Sequence, residues 1–220
     1  MGTLPGLAMS RLSSEERGLV LGVEERGDRF WLLHWLGVER GLGRGLLRRS
    51  RRAARPDFLD SARVRFEADR SGRELFLAEY TLTRRRTAIG RGYERMQVAY
   101  RVAALVRANG DHWPESGELV DLLETFAEAI AEGRPAEPAR LKTLFRMGRM
   151  QGLPVREDWW VRLSRAEQQR AEFLLGCPLA DLGEGEVGSA RALADGLEEW
   201  LGTQAGFRVP VRKGERVSPS

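Results

Sequence analysis

The chain has 220 residues, with 36 Lys and Arg against 32 Asp and Glu and a net charge of +4. It is long enough for one domain or two small ones, and no apolar run nears the roughly 20 residues of a membrane helix. One cysteine, Cys177, excludes an internal disulfide and any Cys-x-x-Cys zinc pair, and two histidines, His34 and His112, leave little material for nucleophilic or metal chemistry.

Residues 1–14 read as a loose tail without the features of a secretory signal. Gly18–Val23 is a short apolar run, and Arg29–Leu36 is a second, apolar on both faces; Glu25 to Asp28 between them read as a hairpin turn. Gly41–Leu47 carries three glycines at alternate positions, which suits a bend or bulge at a barrel corner. Ala62, Val64 and Phe66 alternate with charged and small residues and give the cleanest half-buried strand. A turn at Arg70–Arg73 leads into a fifth strand, Glu74–Thr83. Five strands with short turns and no helix between them predict a small barrel.

The period then lengthens. Met96, Ala99, Tyr100, Ala103 and Val106 share one helical face, and Leu119, Leu122, Leu123, Phe126, Ala127 and Ile130 do so in a helix ending at Gly133. A third helix starts near Pro138, buries Leu141, Leu144, Phe145 and Gly148, and stops by Pro154. Ser164 caps a fourth helix through Leu175, with Glu167 completing a capping box. Ala190, Leu193, Ala194, Leu197, Trp200 and Leu201 mark the last. The expected fold is α+β: an N-terminal five-stranded OB-fold-like β-barrel over residues 15–86, then an all-α helical domain over 87–207 and a C-terminal tail over 208–220.

Charge is segregated along the chain. Residues 1–110 hold 22 Arg against 13 acidic residues, a net of +9, whereas residues 111–220 hold 14 basic against 19 acidic, a net of −5. This predicts a polyanion-binding front half joined to something else. Arg44, Arg48, Arg49, Arg51, Arg52 and Arg55 fall within twelve residues with no acid among them. So dense a run repels itself unless an anion neutralises it, and nucleic-acid phosphates are the commonest such partner. Arg84, Arg85 and Arg86, with Arg91 beyond, form a second cluster that could border the same groove. The nearby aromatics Phe30, Trp31, Trp35, Phe58, Phe66, Phe76 and Tyr80 could stack on unpaired bases. Phe66 and Tyr80 fit the core by periodicity, so Trp31 and Trp35 are the stacking candidates. On the third helix Lys142, Arg146 and Arg149 make a basic stripe beside Phe145, suited to an acidic peptide with a hydrophobic end. The bland alternatives are a solvated arginine loop and a solvated helix face.

Enzymatic signals are weak. A Gly-x-x-x-x-Gly-Lys-Ser/Thr loop is absent, and Gly41-x-Gly43-x-Gly45 lacks both the last glycine and the helix of a dinucleotide loop. His34 reads as a core or barrel-wall histidine, and His112 has no obvious partner. The acid pairs Glu24-Glu25, Glu157-Asp158 and Glu198-Glu199 are adjacent residues whose side chains diverge. No catalytic residue, cofactor, metal or small-molecule substrate is expected.

The order of these features resembles the RecO family of DNA-repair proteins. GVEERGDRFWLLHWL is similar to that family's opening hairpin, and GRGLLRRSRRAARPDFL to its arginine-rich loop. ARVRFEADRSGRELFLAEYTLT resembles its next two strands, and ELVDLLETFAEAIAEG and RLKTLFRMGRMQGLPV its first helices; the likeness spans about residues 15–205. It implies a cytoplasmic, nucleoid-associated recombination mediator that binds single- and double-stranded DNA and anneals complementary strands. With RecR, such a protein helps load RecA onto DNA coated by single-strand-binding protein. It also implies that the helical domain docks that protein's acidic tail, with Lys142, Phe145, Arg146 and Arg149 as contacts. Two departures stand out. Many members carry a zinc-binding cysteine cluster where this chain has WWVRL and only Cys177, so no zinc is expected; and the usual Lys-Gly of the basic loop is replaced by Leu46-Leu47-Arg48. The rival expectations are a protein-interaction adaptor whose barrel binds no DNA and, less favoured, a nuclease.

Overall fold

The structure is a computed structural model that describes residues 15–50, 54–68, 75–110, 113, 116–204 and 206–210. The Arg70–Arg73 turn, His112 and both terminal tails up to 14 and from 211 lie outside the described residues.

Five strands, β1 (Glu15–Arg26), β2 (Phe30–Gly37), β3 (Gly41–Arg48), β4 (Ser61–Ala68) and β5 (Leu75–Arg84), close into a barrel in the order β1-β2-β3-β5-β4. All pairings are antiparallel except β3 with β5, which meet in parallel at Leu46–Phe76 and Leu47–Leu77. This is the expected OB-fold-like barrel. Of the alternate glycines of β3, Gly45 is where the closure needs one: a Cβ there would lie 2.3 Å from Leu77 Cδ1, so the absence of a side chain lets β5 close against β3, while β3 itself runs in unbroken register with β2 and carries no bulge. Gly41 starts the strand at φ +71°, in the left-handed region.

Strand alternation sorts side chains to two faces. Val20, Leu33, Trp35, Leu47, Ala62, Val64, Phe66 and Leu77 fill the barrel. The register shift between Val20 and Gly22 is a β-bulge; Leu21 is the extra residue and joins Leu19 on the outside. There Leu19, Leu21, Leu36 and Leu59 share one continuous core with the helices.

Those helices are α1 (Tyr93–Ala108), α2 (Gly117–Ala131), α3 (Ala136–Met150), α4 (Arg165–Gly176) and α5 (Val187–Gln204). Every apolar residue expected on the inner face of α2 and of α5 is buried. Pro138 falls in the first turn of α3, where no intrahelical donor is needed. The capping box of α4 is present: Ser164 Oγ accepts from the Glu167 N–H at 3.3 Å, and Glu167 Oε2 accepts from the Ser164 N–H at 2.8 Å. One expectation fails on α1. Tyr100 is half exposed and stacks on Phe58 (4.2 Å between ring centres, planes 9° apart), because Val98, Val102 and Leu105 take the inner face instead.

Two sets of ion pairs tie the parts together. Between α3 and α5 the buried Arg140 pairs with Glu137 (2.7 Å), Glu198 (3.0 Å) and Asp195, and Arg101 of α1 reaches Asp195 and Glu198 at 2.8 and 2.9 Å. At the barrel, Arg85 embraces the fully buried Asp60 (Nε to Oδ1 3.2 Å, Nη2 to Oδ2 2.8 Å). Removing one partner of such a pair leaves a buried charge uncompensated, at a cost of several kcal/mol. Arg85 keeps a third of its side-chain surface in water. The Arg85→Ala variant is therefore expected to lose about 3 kcal/mol of unfolding free energy, the low end for a buried pair, measured by urea denaturation. Restoration of part of that loss by Asp60→Asn in the same chain would identify the stranded carboxylate as the cause.

Candidate nucleic-acid interface

Trp31, Leu33 and Trp35 lie on the same face of β2, and their order sets their fates. Leu33 and Trp35 are inside the barrel, while Trp31 sits at the end of the row, packed against that core and partly open to solvent. Trp35 is 1% exposed, and its Nε1 donates to Glu16 Oε1 at 3.3 Å. It cannot meet a base, which corrects its expected stacking role.

Two arginines gather on Trp31. The Arg49 guanidinium lies 3.8 Å from the ring centre and that of Arg55 4.6 Å. Arg49 is held by the strand pairing, since its N–H donates to Arg29 O (2.8 Å) and its Nε to Phe30 O (3.2 Å), with Glu25 3.3 Å from Nη2. Arg55 is placed through its carbonyl, which accepts from Arg85 Nη2, the same guanidinium that grips Asp60. The Asp57 N–H donates to Asp60 Oδ2 at 2.8 Å, so the buried carboxylate shapes the loop that carries Arg55. Around Trp31 is a cavity of about 320 Å³ lined also by Leu47, Arg48, Ser50 and Pro56. A second cavity of about 560 Å³ shares Arg48, Arg49 and Ser50 and continues along β5 to Tyr80 and Thr81. The arrangement is an indole with two guanidiniums lying over its ring, a cationic cluster that can neutralise phosphates and stack a base on a guanidinium plane.

The structure thus brings together Trp31, Arg48, Arg49 and Arg55. Arg51 and Arg52 lie outside the described residues. The second arginine cluster serves the fold instead of the groove. Arg84 and Arg86 both pair with Glu128 of α2, Arg86 is 7% exposed and also donates to Leu59 O and Ser61 Oγ, and Arg85 is engaged with Asp60. Arg91 is exposed at the end of the helical turn Thr87–Arg91. Arg44 is on the outer face of the barrel, opposite His34.

The basic stripe on α3 is also divided. Lys142 Nζ donates to Leu175 O (2.8 Å) and Cys177 O (2.6 Å), fastening the end of α4, and burial pushes its ammonium below the ordinary pKa. Phe145 is buried against Trp159. Neither can receive a peptide as expected. Arg146 and Arg149 stay exposed, but Glu118 and Asp121 of α2 line the same cavity of about 510 Å³, which lowers its attraction for an acidic partner.

Sequence reasoning missed a second cationic cleft. His34, Leu42, Gly43 and Arg44 of the barrel face Ala104, Arg107 and Ala108 of α1 and the segment Arg208–Pro210 across a cavity of about 610 Å³. The signal available was limited to the position of His34 on the barrel wall; Arg107 and Arg208 are distant in sequence and carry no motif. His34 Nε2 lies 2.7 Å from Glu24 Oε1 and 3.1 Å from Arg107 Nη2, donating to the first or accepting from the second according to its tautomer.

No protein-family model matches the chain, and no curated protein matches it. Among the described residues, no helix is long and apolar enough to cross a membrane, and no three His, Cys, Asp or Glu residues are grouped to hold a metal ion.

Burial lowers the His34 pKa below its ordinary 6.5; Glu24 opposes this, and Arg107 and Arg44 add to it. The unfolded chain therefore binds this proton more readily, so the contribution of His34 to stability falls as pH drops below about 6.5. A histidine NMR titration is expected to give a midpoint under 6.5, raised in Arg107→Ala and lowered further in Glu24→Gln. A wild-type midpoint at or above 6.5 contradicts the assignment.

Proposed function

We propose that this chain is a DNA-binding recombination mediator of the RecO type, which captures DNA on the barrel and performs no bond-making step. One observation carries the reading: Trp31 is flanked by the guanidiniums of Arg49 and Arg55 in an open cavity beside the exposed Arg48. Phosphates supply the affinity and are indifferent to sequence, while the guanidiniums layered on the Trp31 ring supply planes that unpaired bases can stack on. Neutralising phosphate charge lowers the repulsion between complementary strands, which is the physical requirement for annealing them. The order of sequence features that resembles the RecO family supports the same reading, and it extends it to cooperation with RecR, to RecA loading on DNA coated by single-strand-binding protein, and to a nucleoid-associated cytoplasmic location. Of the contacts expected for that protein's acidic tail, Arg146 and Arg149 stay exposed, and Glu118 and Asp121 beside them weaken this part of the reading.

Binding of a labelled single strand is expected to weaken with salt by about 0.7 log units per log unit of salt for each phosphate neutralised. The triple variant Arg48→Ala, Arg49→Ala, Arg55→Ala should weaken binding to all sequences alike and flatten the salt slope by about 2. Trp31→Ala should cost single strands about 1–3 kcal/mol and leave the salt slope near its wild-type value. Fluorescence anisotropy over a salt series measures both; unchanged affinity in both variants sinks the proposal.

A further inference from the structure

We propose that the cleft beside His34 is a second nucleic-acid site, taking the sugar-phosphate backbone of a strand other than the one at Trp31. This rests on the reading that the Trp31 cavity binds nucleic acid.

Three separate elements each deliver a guanidinium to the cleft: Arg44 from β3, Arg107 from α1 and Arg208 from the segment after α5. None of the residues lining it is acidic. The nearest carboxylate in contact, Glu24, lies 2.7 Å from His34 and 3.8 Å from Arg107, with more than half of its side chain in water. Three clustered cations with one exposed counter-charge make a site for a polyanion.

The cleft is built, not incidental. Arg208 is brought back over α1 by the buried Asn109, whose Oδ1 accepts from the Arg208 N–H (2.7 Å) and whose Nδ2 donates to Arg208 O (3.0 Å) and to Leu105 O (2.7 Å). The preceding Phe207 is buried edge-on against Trp113, 5.5 Å between ring centres, after a turn at Gly206 with φ +70°. On the opposite wall Gly22 clears the path of Arg107: a Cβ there would lie 3.0 Å from Arg107 Nη1.

The choice of nucleic acid over an acidic peptide comes from β3. That strand sends Arg44 into this cleft from its outer face, while Arg49, just past its end and on the alternate face, lies over Trp31, five residues and roughly 16 Å further on. Side chains alternate along β2, so His34 and Trp31 point to opposite faces of the β2–β3 hairpin. One hairpin thus presents cations to both sides, and a strand stacked at Trp31 does not fill the cleft. Two strands held on two faces of one protein are close enough to find each other.

The test titrates the full chain into a labelled oligothymidylate of about four nucleotides, the low end of a single site, at concentrations that count sites. Wild type is expected to bind two per chain. The Arg44→Ala, Arg107→Ala, Arg208→Ala variant should bind one and lose about 2 from the salt slope of the second event. The Trp31→Ala, Arg49→Ala, Arg55→Ala variant should also bind one, through the cleft. Arg208→Glu alone, whose backbone stays fixed by Asn109, should weaken the second event about tenfold without altering the thermal melt. Two oligonucleotides on the cleft triple variant, or one on wild type, overturns the inference and leaves the Trp31 site standing. An acidic peptide that binds wild type but not the cleft variant, with one oligonucleotide on both, overturns it in favour of a protein ligand. Absence of any DNA binding by wild type overturns the functional reading itself.

Discussion

The Asp60 carboxylate is fully buried at the start of β4, and the geometry of the barrel's working end follows from how its charge is met. It accepts two bonds from Arg85, one from the Tyr80 hydroxyl and one from the Asp57 N–H. Desolvation and the Asp60 charge hold the Tyr80 hydroxyl protonated far above its ordinary pKa, so it remains a donor. Because a buried anion must be satisfied, these bonds fix the end of β5 and the loop before β4 with one acceptor. Arg85 then extends the arrangement to the Arg55 carbonyl and, through it, to the guanidinium at Trp31. The candidate interface is thus set from the interior outward.

The same chain solves its charge segregation partly within itself. Asp121, Glu124 and Glu128 are spaced along one face of α2, and they meet Arg17 of β1 and Arg84 and Arg86 at the end of β5. Hydrogen bonding to Arg84, with Arg84 and Arg86 nearby, keeps the Glu128 carboxyl below its ordinary pKa. Part of the acidic surplus of the second half is therefore an internal counter-charge for the basic barrel. The arginines at Trp31 and beside His34 are among those α2 does not reach. Position, and not total charge, separates the cations of the interface from those of the fold.

The sequence made the architecture legible wherever a periodic pattern meets a single environment. The alternation of Ala62, Val64 and Phe66, the inner faces of α2 and α5 and the Ser164–Glu167 box all read correctly because local spacing alone decides them. Trp35 and Trp31 could not be told apart, since both lie on a strand apolar on both faces and only the position of the barrel's mouth separates them. Arg84, Arg85 and Arg86 looked free because their partners Asp60 and Glu128 are 25 and more residues away. The role of Lys142 is hidden for a similar reason: its acceptors are carbonyls, which leave no mark in a sequence. The His34 cleft joins four segments, from β2 to the chain after α5, and its asparagine clasp depends on a fold already made.

The transition from strand to helix falls between Arg84 and Tyr93, yet the packing does not divide there. Leu19, Leu21, Leu36 and Leu59 leave the barrel wall to join Val98, Val102, Leu119 and Leu123, and each buried leucine contributes about 2 kcal/mol by removal from water. Leu59 does so from φ 59°, a backbone region that leucine rarely adopts. Such a position makes opposed demands: glycine would suit its backbone and asparagine tolerates it, but only a large apolar side chain fills the space. The barrel is therefore not a portable module. A graft of residues 15–86 onto another protein would carry an outer face shaped for these helices alone, and a chimera would have to supply its own cover for those four leucines before it could present Trp31 at all.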